Sequence, residues 1–269
     1  MAGVSAVAFD LDGTLLDHRT ASASAFEHLV RELGGTVTPG LQQAWWEAED
    51  RHFEAWRQGL ISFDEQRRRR LRDILPLVGS VEARPGDAGF RARGLQDGDL
   101  SGRGLSDERL DRIFGIYLAA YESAWCVFPE VAAVLDAVRS AGIPVGLLTN
   151  GSERQQEEKL ARTRIRDRFD VVCTSEALGV AKPDPQAFAT LCSRLGVPPA
   201  EVLFVGDDYR ADILGARAAG LRTYFVDRSG DGREDARGAR GGDGGGQDAE
   251  SPGEGAAHPD LHGILPLLA

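Results

Sequence analysis

The chain opens on an apolar run, Val4, Ala6, Val7, Ala8 and Phe9, that breaks off into Asp10-Leu11-Asp12-Gly13-Thr14. A run with no polar face predicts a strand covered on both sides in a parallel sheet. The period then changes. Residues 21–33, 41–58, 63–77 and 107–125 carry apolar positions at helical spacing, as in Leu110, Ile113, Phe114, Tyr117, Ala120 and Tyr121. Ser62 with Glu65 forms a capping box at the head of the third of these helices, and Ser106 offers a weaker start to the fourth. From Phe128 onward helices and strands alternate. A helix beginning at Pro129 carries the stripe Val131, Val134, Leu135 and Val138 and stops at Gly142. A strand at 143–148, a charged helix to about Arg162, a strand at Val171–Thr174 and a helix at Pro185–Leu195 follow. The series ends with a strand at 202–205, a helix at 210–219, a strand at Arg222–Val226 and a short closing helix at 261–268. This alternation predicts parallel βαβ units with right-handed crossovers.

Two stretches follow neither period. Residues from about 79 to 105 are rich in Gly, Asp, Arg and Ser, and their length without pattern predicts a mobile loop. Residues 228–259 hold ten of the chain's 33 glycines, all between 230 and 255, in a composition too polar to bury a core.

Composition narrows the function. A chain of 269 residues is long enough for two domains. Its formal net charge of −11 argues against a nucleic-acid backbone as partner. There is no basic segment followed by a long apolar one at the N-terminus and no run long enough to span a bilayer, so the expected location is cytoplasmic, with no membrane partner. Cys126, Cys173 and Cys192 are odd in number and form no Cys-x-x-Cys pair, which fits reduced thiols.

The candidate chemistry lies where strands end. Alternation puts Asp10 and Asp12 on the same side of the extended chain, so one can act as nucleophile and the other as proton carrier. Gly13 lets the backbone turn away. Thr149 and Asn150 end the next strand with a hydroxyl and an amide suited to phosphoryl oxygens, and the helix after Gly151 aims N–H groups the same way. Lys182 supplies a fixed positive charge, and Asp207 adds a carboxylate, with Asp208 and Asp212 close behind. Each stretch alone reads as a turn or a helix cap. Their succession at the carboxyl ends of buried strands is what a turn does not explain. Mg²⁺ prefers a few hard oxygen ligands, and Asp10, a backbone carbonyl near Asp12, and Asp207 would suit it. Without a cation, such carboxylates would raise one another's pKa.

With Asp10-Leu-Asp12-Gly-Thr14, Thr149-Asn150-Gly151, Lys182-Pro183-Asp184-Pro185 and Gly206-Asp207-Asp208 through Asp212 in this order, the chain resembles the haloacid dehalogenase (HAD) superfamily of phosphohydrolases. The resemblance implies an α/β fold, a Rossmann-like parallel sheet with an inserted α-helical cap. Residues 1–17 and 126–269 would form the core and 18–125 the cap. It further implies that Asp10 is the nucleophile that becomes an aspartyl-phosphate, and that Asp12 is general acid and then base. Thr149, Asn150 and Lys182 would bind phosphate, and Asp207 would join Asp10 and Asp12 around Mg²⁺ with Asp212 as ligand or support. The expected function is a Mg²⁺-dependent phosphatase acting on a small phosphorylated metabolite. A phosphoryl-transfer mutase or a non-catalytic binding module are the alternatives, and Asp12 speaks against dehalogenation. The oligomeric state is open. Arg164 stands where relatives have glycine, at a position expected to be left-handed. Arg67 to Arg70 read as an ion-paired face, and Trp45, Trp46, Phe53 and Trp56 as core. His18, His52, Arg154 and Gln155 carry no assigned role.

Overall fold

The first strand, β1 (Ala6–Phe9), is buried at every position and sits in the middle of a sheet. The computed structural model describes residues 3–80, 104–228 and 257–268, so most of both glycine-rich stretches lies outside the described residues. Two compact units emerge: Met1–His18 with Trp125–Ala269, and Arg19–Ala124.

In the first unit, β1 pairs in parallel with β2 (Val145–Thr149) on one side, while on the other a later strand, Val202–Gly206, runs beside it. Between them in the chain lie α-helices and β3 (Val171–Thr174), and Val202–Gly206 is therefore β4; β5 (Arg222–Val226) and the two-residue β6 (Ala257–His258) complete the order β3-β2-β1-β4-β5-β6. All neighbours are parallel. The chain leaves β1 to one side and returns to the other, so the carboxyl end of β1 faces the crevice where open α/β sheets bind ligands.

The pleat sorts β1's side chains onto two cores. Val7 and Phe9 face a cluster containing Leu147, Val205, Tyr224 and the Val131, Val134, Leu135 and Val138 stripe. Ala6 and Ala8 face a second cluster built on Phe188, Leu191 and Phe204, where two small side chains leave room for rings 5.1 Å apart. Each large side chain so buried contributes roughly 1.5–3 kcal/mol. This anchors β1 from both faces and holds its polar end in place.

Several boundaries differ from the expectation. The stripe helix, α5 (Val131–Ser140), begins at Val131, not at Pro129, and β2 begins at Val145. Residues 210–219 are a π-helical turn, Tyr209–Leu214, followed by the short helix Gly215–Ala218. The closing segment is a 3₁₀ helix, His262–Leu268, that buries Leu261 and Ile264 in the first core. A four-residue helix, Ser175–Leu178, stands in the loop ahead of Lys182.

Among the described residues, the second unit holds four helices, α1 (His18–Glu32), α2 (Pro39–Arg57), α3 (Phe63–Ser80) and α4 (Asp107–Ser123). Ser62 Oγ accepts from the Glu65 N–H at 3.1 Å, and Ser106 Oγ caps α4. Trp45 is fully buried, stacked on Phe26 at 4.6 Å and tilted against Tyr117 at 4.8 Å. Arg68 pairs with Asp107 and Asp111, and Arg69 with Glu65, as a solvated face would. Arg70 departs from that face: it is buried, pairs with Glu49 at 3.0 Å and lies 4.2 Å over the Trp45 ring. No helix among the described residues is long and apolar enough to cross a membrane.

Candidate active site

Asp10 follows the last residue of β1, and its backbone N–H donates to the Val205 carbonyl, so strand pairing continues to the point where the acid begins. Gly13 then turns the chain with φ of 91°, and a Cβ there would run into the Asp207 carboxylate. Only glycine meets both demands. Gly206 serves the same purpose at the end of β4, where a Cβ would strike the Asp212 side chain.

Three carboxylates converge across these strand ends. Ligand oxygens of Asp10, Asp207 and Asp212 lie within 4.8 Å of one another. Lys182 reaches them from the loop after β3, donating through Nζ to Asp10 Oδ1 at 2.5 Å and to Asp212 Oδ1 at 2.6 Å. The Thr14 hydroxyl donates to Asp207 Oδ1 at 2.9 Å, and the Asp208 N–H to Asp212 Oδ2 at 3.1 Å. Asp10, Asp212 and Lys182 are all buried.

Burial dominates the electrostatics. It pushes the Asp10 carboxyl up to about 7; Lys182 opposes the rise, and the Asp212 charge adds to it. Burial, Asp10 and Asp212 raise Asp207 well above the carboxylate range. Asp212 is also raised, by burial against the pull of Lys182. Burial would lower Lys182, but Asp10 and Asp212 outweigh it and hold the ammonium charged. With all acids ionised, one ammonium faces three carboxylates, and two negative charges remain uncompensated. An oxygen-only cluster with that excess suits a hard divalent cation.

The other expected residues have different duties. Asp12 does not join the three-carboxylate cluster through its side chain. Its oxygens accept from Lys159 Nζ at 2.6 and 2.7 Å and from Gln156 Nε2 at 3.0 Å. Desolvation works against its charge, yet Lys159, His18 and Gln156 hold it below the usual range. Thr149 ends β2 buried, and its Oγ1 accepts from Gln156 Nε2 at 2.7 Å. Asn150 departs from the expectation of an amide aimed at phosphate. Its Oδ1 accepts from the Lys182 N–H and its Nδ2 donates to the Lys182 carbonyl, both at 2.9 Å, so the carboxamide clamps the lysine's backbone. Of the N–H groups that open the helix after Gly151, expected to face a ligand, that of Glu153 donates to Glu176 Oε2 at 2.8 Å and that of Gln155 to Ser152 Oγ at 3.4 Å.

Sequence reasoning missed Gln156 and Lys159, both buried on one face of α6, the helix Glu153–Arg162 after β2. It also missed Arg228, whose Nη2 donates to the Thr14 carbonyl at 2.8 Å while Nη1 pairs with Glu130. The only available signal for the first two was their i, i+3 spacing next to the Thr149 strand end.

A family model for haloacid dehalogenase-like hydrolases matches residues 4–220. Phosphoserine phosphatase from Thermus thermophilus is 32% identical over 221 residues, covering 81% of this chain and 87% of its own length. Phosphatase MT3486 from Mycobacterium tuberculosis is 32% identical over 234 residues, covering 86% and 91%. Among solved structures, magnesium-bound YfnB from Bacillus subtilis superposes with a TM-score of 0.71 at 18% identity over 99% of both chains, a likeness of fold. Because the family match runs through all the strand ends that gather these acids, the chain belongs to the haloacid dehalogenase-like hydrolase family, and within it to the phosphoric monoester hydrolases.

Proposed function

We propose that the chain is a Mg²⁺-dependent phosphatase that hydrolyses a small phosphorylated metabolite through an aspartyl-phosphate on Asp10. The observation that carries this reading is the Lys182 ammonium shared by Asp10 and Asp212, with Asp207 alongside. It engages Oδ1 of Asp10 and leaves Oδ2 to attack phosphorus. Asp10, Asp207, Asp212 and the backbone carbonyl of Asp12 would hold Mg²⁺, which when bound supplies charge neutralisation for the carboxylates and the transferring group.

The chain's own residues do the rest. An Asp10 oxygen forms a bond to phosphorus as the ester P–O bond breaks, and Asp12, reacting from the minor fraction that carries a proton, gives that proton to the departing oxygen and becomes the carboxylate that Lys159 and Gln156 hold. In the second step Asp12 takes a proton from water as the water oxygen bonds to phosphorus and the P–O bond to Asp10 breaks, releasing inorganic phosphate. Lys182 and the Thr149 hydroxyl steady the phosphoryl oxygens throughout, and Asn150 acts by fixing the lysine's backbone. The helical unit, Arg19–Ala124, is the part of the chain we assign to the cap and to substrate choice.

The test is a panel of phosphorylated metabolites, beginning with phosphoserine, the substrate named for the Thermus relative. Phosphate release is followed with Mg²⁺ and with chelator. Release that stops with chelator supports the reading. Release unaffected by chelator, or formation of an isomer in place of free phosphate, overturns it.

A further inference from the structure

α6 presents two polar side chains to the inside of the fold, and nothing in an amphipathic helix requires that. Gln156 and Lys159 are 1% and 3% exposed, although polar residues this buried need partners that repay their desolvation. Those partners are Asp12 and Thr149, on two different strand ends. The Gln156 amide nitrogen has two hydrogens; one goes to Asp12 Oδ2 and the other to Thr149 Oγ1. A carboxylate only accepts, so the contact with Asp12 dictates which end of the amide faces the site. Gly151 makes room for it: a Cβ there would lie 3.0 Å from the Gln156 Cδ.

A hydroxyl carries one hydrogen and two lone pairs. Since Thr149 Oγ1 accepts from Gln156, its own hydrogen is turned away from the amide and is available to an incoming oxygen. Meanwhile the Asp12 carboxylate is gripped at both oxygens by Lys159 and at one by Gln156, which leaves it little rotational freedom.

We propose that Gln156 and Lys159 are positioning residues of the phosphatase reaction: together they orient the Asp12 carboxylate toward the leaving-group oxygen, and Gln156 directs the Thr149 hydroxyl to the phosphoryl oxygens. The inference rests on the function proposed above, and assigns roles to two residues that act through Asp12 and Thr149.

The experiment uses the full chain with Mg²⁺ and two probes, 4-nitrophenyl phosphate and β-glycerol phosphate. The first expels a stable phenolate and needs little help from an acid; the second expels an alkoxide and depends on it. Q156L and K159M should lower kcat for β-glycerol phosphate by about 100-fold, the low end of what a positioned acid contributes, and kcat for 4-nitrophenyl phosphate by less than roughly tenfold. In the D12N background Q156L should add nothing further to the leaving-group dependence, because the residue through which it acts is already gone. Q156L should raise KM for both probes through Thr149. Equal loss of kcat on both probes at an unchanged melting temperature, or no loss on either, overturns the inference. Should K159M not fold, Q156L and its double mutant with D12N decide the matter. D10N separates the two levels: if D10N still turns over, the proposed function fails, whereas a dead D10N with equal losses in Q156L removes only the role of α6.

Discussion

The Asp10 carboxyl is a group whose chemistry and stability effects run in opposite directions. Taking it out of water raises its pKa to about 7, and the Asp212 and Asp12 charges push the same way. Ionised, it is the nucleophile we assign; it is also an unfavourable charge among others. Asp10→Asn should therefore abolish phosphate release and leave the melting temperature equal to or above that of the unmodified chain. A thermal melt beside an activity assay checks both, and an inactive variant that melts much lower would show the loss to be one of folding. Arg164 makes the reverse case, a residue with a backbone cost and no chemistry. It has φ of 60°, the only non-glycine in the left-handed region among the described residues. Its N–H donates to Ala161 O and the Ile165 N–H to Leu160 O, the paired bonds that close a helix through a left-handed residue. Ile165 and Leu160 are buried in the same core, so packing holds the turn although the side chain at its centre gains nothing. Arg164→Gly should raise stability by about 1 kcal/mol in a denaturant titration, with activity unchanged.

At the scale of elements, α2 and α3 meet through a buried ion pair. Arg70 and Glu49 keep 3% and 11% of their side chains exposed, and the guanidinium lies 4.2 Å over the Trp45 ring. Arg70→Leu takes the opposite charge away from a buried carboxylate and should destabilise the helical unit by about 3–5 kcal/mol, while the double change with Glu49→Leu should recover most of it. Comparing single and double variants in urea tests this; a double variant as weak as the single would show that the charges were not coupled. The pair also illustrates what sequence reasoning reaches. Strands such as Val171–Thr174 and Arg222–Val226 were legible to the residue because short runs of β-branched and aromatic residues between helical segments have no other good reading. The Asp10, Lys182 and Asp207 grouping was legible because each stands at or just beyond the end of such a strand. Arg70, Gln156 and Lys159 were not, since a polar residue on a helix looks solvated until its partner is known, and those partners lie 21, 144 and 147 positions away for the pairs Arg70–Glu49, Gln156–Asp12 and Lys159–Asp12. Asn150 was misread for the same reason: its amide could face a ligand or the Lys182 backbone, and only the fold chooses. The π-helical turn Tyr209–Leu214 escaped because its apolar spacing does not separate it from an α-helix.

For the molecule as a whole, the site is a concentrated part of an already acidic chain, with a formal net charge of −11. Asp10, Asp207 and Asp212 all have raised pKa values, and burial is the leading cause for each. A group whose folded pKa lies above its unfolded value binds protons more tightly when folded. Its contribution to stability is complete below the unfolded value, near 3.8 for an aspartate, and is lost as pH rises through the folded value, about 7 for Asp10. Held in chelator, the protein should therefore lose stability from about pH 4 to about pH 7 through Asp10, with Asp207 and Asp212 acting in the same direction. A divalent cation held by these acids, as proposed, would reverse the sign of the local balance: it would bind the ionised carboxylates, compete with their protons, and stabilise the folded state in proportion to the logarithm of its concentration over its dissociation constant. The melting temperature difference between roughly 10 mM MgCl₂ and EDTA, measured at about four pH values from 5 to 8 at constant ionic strength, should accordingly widen as pH rises. Asp207→Asn should flatten that dependence by removing one of the competing carboxylates while the Lys182 bridge between Asp10 and Asp212 stays in place. A Mg²⁺ shift equal at every pH, or larger at pH 5 than at pH 8, would mean that the cation binds somewhere other than these acids.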